Sequence, residues 1–413
     1  MSLDSPERTL TFPLAKPEGD PLGQPAEFAE LRSKCPVSRV DHWDGTRPWL
    51  ITRYDDCKTA ALSHDHLSNN PEFAGYPSGS PALAATIDKE RNLRTMDPPE
   101  QLTEKAMIQR GLSRRAVEKI RPVVRAYAQE LVDDFDPSGV VDVVDRYTRF
   151  IPGYAICELL GVPYDDRDFF AEQGALFLSG DSTAEVAAAA GEKLTAYLEG
   201  LVQAKIDAPT DDMLGHLVSK HLLKGAITRD QVIGYARMLL AGGFESTANA
   251  MALSILALLD NRDQLADFVE NLSDRQYVAN AVNELLRFTS PNQTSQRRAV
   301  KAEITIGDQL LSVGDGAIIA NASANKDETK FPDPEKLDLR RANAADHLAF
   351  GFGPHQCIGQ LLARAELEES LEVLFAAWPK MTRATPIEEI PVGGPHEITF
   401  RIRQLDVALN PTV

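Results

Sequence analysis

The longest helix-compatible run in the chain, Thr228 to Asp260, is apolar on nearly every side. A helix of that character must be surrounded by other elements, because it offers no polar face to water. It demands a thick, helix-rich fold, and 413 residues are enough to build one. Thr228 and Gln231, three apart, form a capping box that marks the start. Gly242-Gly243 interrupts the run midway, where each glycine costs roughly 1 kcal/mol against alanine. The most apolar part, Ala248 to Leu259, is 12 residues long. That is well under the ~20 apolar residues of a membrane span.

Around this helix, apolar spacing of three and four predicts helices over 116–134, 150–160, 184–207, Arg275 to Phe288 and Cys357 to Trp378. Val37 to Val40 and Trp49 to Thr52 read as a hairpin about Asp44-Gly45. Residues 303–320 alternate apolar and polar about Gly307-Asp308 and Gly314-Asp315, as in a small antiparallel sheet. Residues 66–88, rich in Gly, Pro, Ser and Asn, read as a long loop. There is no internal repeat and no clear linker. The expected fold is mainly α with minor β, one domain over 1–413, β-rich over about 30–90 and helical over about 91–413.

The net charge of -18 argues against nucleic acid or an anionic membrane as partner. The first thirty residues hold Pro13, Pro17, Pro21 and Pro25 and no continuous apolar core, unlike a signal peptide. Cys35, Cys57, Cys157 and Cys357 show no C-x-x-C and no zinc-like spacing. A cytoplasmic, thiol-reduced protein is the expectation.

Residues 350–359 read FGFGPHQCIG. A helix beginning at Cys357 would put its positive dipole end and free N–H groups on the sulfur and lower the thiol pKa. Gly353 and Gly359 permit tight turning and close approach to a flat ring. His355 is placed to donate to a carboxylate at that ring's edge. By residue type alone, three readings stay open: an inert core cysteine, a nucleophile and a metal ligand.

The pattern F-x-x-G-x-x-x-C-x-G, carried by Phe350, Gly353, Cys357 and Gly359, resembles the haem-binding signature of the cytochrome P450 family. The resemblance runs from about residue 20 to the end. Glu284 and Arg287, 73 residues before Cys357, resemble that family's E-x-x-R pair, and Arg341 its added arginine. The resemblance implies the P450 fold, a large helical domain with small antiparallel sheets, and haem b with Cys357 as the axial thiolate. It implies further cofactor contacts from Phe350, Gly359, His355 and Arg298, with Arg297 adjacent. After Met96-Asp97-Pro98-Pro99-Glu100, Gln101 and Lys105 stand where the family commonly has His and Arg.

Ala241-Gly242-Gly243-Phe244-Glu245-Ser246-Thr247 resembles the family's oxygen-binding motif. Glycines at Gly242 let a helix pass close over a ring, and a broken backbone bond there would leave a groove for O2 and water. An acid followed by a hydroxyl can relay protons, so Glu245 with Ser246 or Thr247 is the expected catalytic set. The expected pocket holds Phe73, Phe177, Leu240, Phe244, Asn292 and Thr294, with Gln293 beside them. It is drawn from residues 66–88, the stretch Leu176 to Ser179, the central helix and the stretch from Thr289 to Thr294.

The chain ends about 56 residues after Cys357 with no flavin or ferredoxin module, so electrons must come from another protein or a dinucleotide. Arg110, Arg114, Arg115, Lys119 and Arg121 form a basic stretch suited to an acidic carrier. The chain is also similar to the fungal nitric-oxide-reductase branch, through Phe12-Pro13, Pro25-Ala26-Glu27-Phe28-Ala29 and Ala324-Asn325-Lys326-Asp327-Glu328. That branch takes hydride from NADH through a basic loop. The equivalent here, His66 to Pro77, has no Lys or Arg, and the branch lacks a carboxylate at the place of Glu245. The expectation is therefore a monooxygenase using O2, a small, largely apolar substrate and a ferredoxin-type donor. An NADH-dependent NO reductase, or an enzyme that uses NO with O2 to nitrate, is the alternative.

Overall fold

The computed structural model describes residues 10–79, 84, 91–178, 184–293, 295–394 and 397–410. In chain order the helices begin with α1 (Ala26–Lys34), α2 (Tyr54–Leu62), α3 (Glu100–Gln109) and α4 (Arg114–Asp133). Next come α5 (Phe150–Leu160), α6 (Arg167–Leu178), α7 (Ala184–Asp207), α8 (Met213–Lys220) and α9 (Arg229–Asp260). After these stand α10 (Arg262–Glu270), α11 (Arg275–Thr289), α12 (Asn321–Ala324) and α13 (Gln360–Ala377). Among the described residues no helix is long and apolar enough to cross a membrane.

The central helix is α9. Thr228 Oγ1 accepts from the Gln231 backbone N–H at 3.2 Å, and Gln231 Oε1 accepts from the Thr228 N–H at 2.9 Å. Every residue from 249 to 259 is buried. The helix runs unbroken through Gly242-Gly243, against the expected interruption. The two glycines cost roughly 2 kcal/mol of helix propensity. Burying one Leu side chain gains about as much, so the apolar half of α9 outweighs the defect.

A five-stranded sheet takes the order β1-β2-β8-β5-β3, from Val37–Arg39, Trp49–Ile51, Gly316–Ile319, Gln296–Val300 and Leu67–Ser68. β1 and β2 form the expected hairpin, Val37 opposite Ile51. β2 and β8 pair in parallel, the remaining pairs of this sheet being antiparallel. Its middle strands come from after residue 290, so the expected β-rich segment over about 30–90 is completed from the far end of the chain. The sheet expected over 303–320 divides: β6 (Ile304–Ile306) and β7 (Gln309–Leu311) make a hairpin, while β8 joins the larger sheet. β3 lies inside the segment read as loop; its partner β5 is over 200 residues away, beyond the reach of local pattern. The stretch 66–88 is described only in part.

Two cores follow. The helical one surrounds α9 and includes Ile151, Leu214, Met251, Leu285 and Phe375. The other lies under the sheet and includes Ile51, Cys57, Leu67, Val300 and Phe331. Between them, Glu284 and Arg287 of α11 are fully buried and doubly bonded at 2.7 and 2.9 Å. Arg341 Nε donates to both Glu284 oxygens at 3.0 and 3.1 Å. Arg287 also donates to the carbonyls of Asn325 and Pro334, and Asn325 Oδ1 accepts from the Leu348 N–H. The pair is thus tied to the segment that leads into the cysteine loop.

Candidate active site

The cysteine loop closes on itself. The Cys357 N–H donates to Phe350 O at 2.8 Å, and Gly351 and Gly353 take φ of 71° and 73°. A Cβ on Gly353 would meet Ala61 O at 2.8 Å, so both conformation and space require glycine. Gln101 Nε2 donates to Pro354 O at 3.1 Å. Lys105 Nζ donates to Pro354 O and Gln356 O at 2.6 and 2.8 Å. These two residues, expected at the cofactor's edge, brace the loop backbone in this structure.

Helix α13 begins at Gln360 with Gly359 as its N-cap, three residues later than expected. Ile358-Gly359 form a turn, so the sulfur stands ahead of the helix. Burial pushes the Cys357 thiol above its ordinary value, against the expected lowering. The Gly359 N–H, Lys105, Arg364 and the Gln360 N–H pull it back in part. Arg364 escaped the sequence reading. Its guanidinium lies 4.5 Å over the Phe350 ring, and its place two turns past Cys357 is the signal that marks it.

Although its surroundings desolvate it, Cys357 keeps exposed surface, so it lines an internal space. A Cβ on Gly359 would meet only the Cys357 sulfur, at 3.9 Å, and one on Gly242 would meet nothing within 4 Å. Along α9, Gly234, Arg237, Met238, Ala241, Gly242, Gly243, Glu245, Ser246 and Ala248 stay accessible, while Leu239, Leu240, Phe244 and Thr247 are buried. Ser246 Oγ donates to Gly242 O at 2.7 Å, whereas Thr247 is buried.

A cationic group flanks the space. Burial, then Arg298, Lys105 and His64, push His355 down to about 3, which leaves the ring neutral. Its Nε2 is buried with no hydrogen-bond partner. Burial lowers Arg298 to about 10, so it stays charged at neutral pH. Arg298 donates to Arg297 O and Gln296 Oε1, not to a carboxylate. Of the two neighbouring arginines, Arg298 is the one that acts on His355. Among the described residues no three His, Cys, Asp or Glu side chains gather to hold a bare metal ion.

The other expected pocket residues divide. Leu240 is fully buried and packs over Gly174 of α6, and Phe244 packs over Gly153 of α5. They belong to the core face of α9, because a continuous helix turns them away from the Gly242 stripe. Phe177 is half-buried against Gly191 of α7. Phe73 stands 42% exposed on its loop. Asn292 Oδ1 accepts from the Ser295 N–H, and Gln293 Nε2 is buried without a partner. Thr294 and Ser179 lie outside the described residues. In the basic stretch, Arg121 is consumed by Glu118, Glu368 and Glu369, and Lys119 by Asp211. Arg110, Arg114 and Arg115 remain exposed.

A family model for cytochrome P450 matches residues 187–377. Cytochrome P450 55A3 of Fusarium lichenicola is 35% identical over 89% of this chain and 90% of its own. The vitamin D3 dihydroxylase of Streptomyces griseolus is 34% identical over 90% of each. The crystal structure of CYP105N1 from Streptomyces coelicolor superposes with a TM-score of 0.90 at 33% identity, covering 97% of this chain and 99% of that one. The chain belongs to the cytochrome P450 family. It is a P450 monooxygenase, an oxidoreductase of the haem-thiolate kind whose cofactor is haem b. The residues present fit that cofactor. One sulfur faces an open space, Gly242 and Gly359 leave room for a flat ring, and the unpartnered His355 Nε2 beside Arg298 suits its acidic edge. As a P450, the chain also has a physical use for its buried Glu284–Arg287–Arg341 network, which anchors the cysteine segment.

Proposed function

We propose that this P450 inserts one oxygen atom from O2 into a small, largely apolar organic molecule, with electrons from a separate ferredoxin-type protein. The observation that carries the reading is the placement of Glu245 directly before Ser246 on the accessible stripe of α9. Haem b, when bound, supplies the redox-active iron at which O2 is reduced. Cys357 would hold the iron as a thiolate, giving up to solvent the proton that burial favours on its sulfur in the metal-free protein. His355 and Arg298 hold the acidic edge of the cofactor, while Gln101 and Lys105 fix the loop around the thiolate. Phe350 and Gly359 bound the sulfur's side of the space. Ser246, bonded to Gly242 O, and Glu245, one residue before it, deliver protons to reduced oxygen. The hydroxylase relative named above supports oxygen insertion. The unpaired state of all four cysteines supports a reducing, cytoplasmic setting.

The test separates electron sources. Purified protein with O2, substrate, a ferredoxin and its reductase is expected to form oxygenated product. The same protein with NADH, NO and no partner is expected to leave NADH unoxidised. Rapid NADH oxidation in the second mixture would overturn the proposal in favour of NO reduction.

A further inference from the structure

We infer that the substrate carries a carboxylate and that Arg237 of α9 receives it. The inference rests on the reading that the space beside Gly242 is the reaction chamber. Arg237 is half-buried and lies on the i, i+4 line of α9 with Ala241 and Glu245, the accessible residues that flank Gly242. Its guanidinium lies over the Phe177 ring, 5.7 Å from the centroid. No carboxylate and no hydrogen-bond acceptor among the described residues is paired with it.

That is out of pattern for this fold. Arg167, also half-buried over aromatic rings, is matched by Glu130 and Asp168. Arg121 is matched by three glutamates, and Arg364 by Asn283 and Gln360. A half-buried guanidinium with no acceptor among the described residues is open to a ligand that brings one. A bidentate carboxylate supplies the missing acceptor, and the face of Phe177 holds the fork in one plane.

The placement also gives the acid a direction. Five residues separate Arg237 from Gly242, about 7.5 Å along the helix axis. Glu245 lies three residues further on, where its own carboxyl disfavours a second one. The acid end therefore sits at Arg237, and a carbon remote from it, on an apolar body, lies beside Gly242.

The test uses matched probes on the purified holoenzyme: decanoate and 4-phenylbutyrate against their methyl esters. Affinity is read by equilibrium dialysis and, separately, by the change in the haem absorption spectrum. The acids are expected to bind about tenfold more tightly than the esters. Arg237→Gln is expected to bring that ratio to about one, and Arg237→Lys to keep it above one. A purely structural arginine would change the melting temperature and leave the acid-to-ester ratio alone. Acids that bind no better than esters, or not at all, to haem-loaded protein would overturn the role of Arg237 and leave the monooxygenase reading standing. Protein that holds no haem would overturn both.

Discussion

At the scale of residues, the two hydroxyls after Glu245 have become unequal. Ser246 is accessible and hydrogen-bonded to Gly242 O, whereas Thr247 is buried. Ser246→Ala is expected to lower coupling several-fold, with electrons diverted to hydrogen peroxide, while Thr247→Val keeps coupling near the parent's. Product and peroxide measured per NADH consumed decide between them, and the reverse ranking would move the relay to Thr247. A second expectation concerns His347, whose Nδ1 accepts from the Ala349 N–H. Burial, with Arg364 and then Arg287, holds it near 3, below the ordinary histidine value of 6.5. The unfolded chain therefore binds more protons than the folded one between these values. His347 contributes full stability above pH 6.5 and loses it as pH falls toward 3. From pH 6.5 to 5 the loss is about 2 kcal/mol. Urea unfolding of His347→Gln should show a flatter pH dependence over that range; parallel curves for parent and variant would count against it.

At the scale of elements, local chemistry was legible and distant pairing was not. The capping box placed the start of α9 to the residue, because Thr228 and Gln231 satisfy each other's backbone donors without help from elsewhere. The E-x-x-R spacing gave the pairing, because one helix carries both partners, while its burial was implied only by the family resemblance. The start of α13 was read three residues early, since Ile358-Gly359 carries no residue that forbids a helix. Strand β3 was missed because its partner is remote, and the faces of Leu240 and Phe244 depend on what α5 and α6 bring to them. Glycines then divide by what surrounds them. Gly242→Ala meets no protein neighbour, so in the haem-free protein it should raise unfolding stability by up to about 1 kcal/mol through helix propensity. Gly353→Ala must take a positive φ against Ala61 O and should lower stability and haem content together. Melting curves and haem-to-protein ratios of the two variants test the contrast. A destabilised Gly242→Ala would mean that the space above it is filled.

At the scale of the whole molecule, an acidic chain of net charge -18 presents Arg110, Arg114 and Arg115 exposed and with no ion pair among the described residues, whereas Arg121 and Lys119 are paired. On the proposed reading, that local contrast, set against an acidic surround, would steer an acidic electron donor to one place. The fold class was legible from the helical spacing along the chain and from α9, whose second half is buried on all sides and requires a helical surround. The reaction chamber was legible only in part, because accessibility along a helix is a property of its neighbours. The central claim is that Cys357 supplies the thiolate that binds haem iron. It is tested by the absorption spectrum of the purified, reduced protein with CO, taken for the parent and for Cys357→His. Expected is the long-wavelength band of thiolate ligation in the parent and its loss in a variant that still holds haem through the new imidazole. A parent without haem, or a variant that keeps the long-wavelength band, would contradict it.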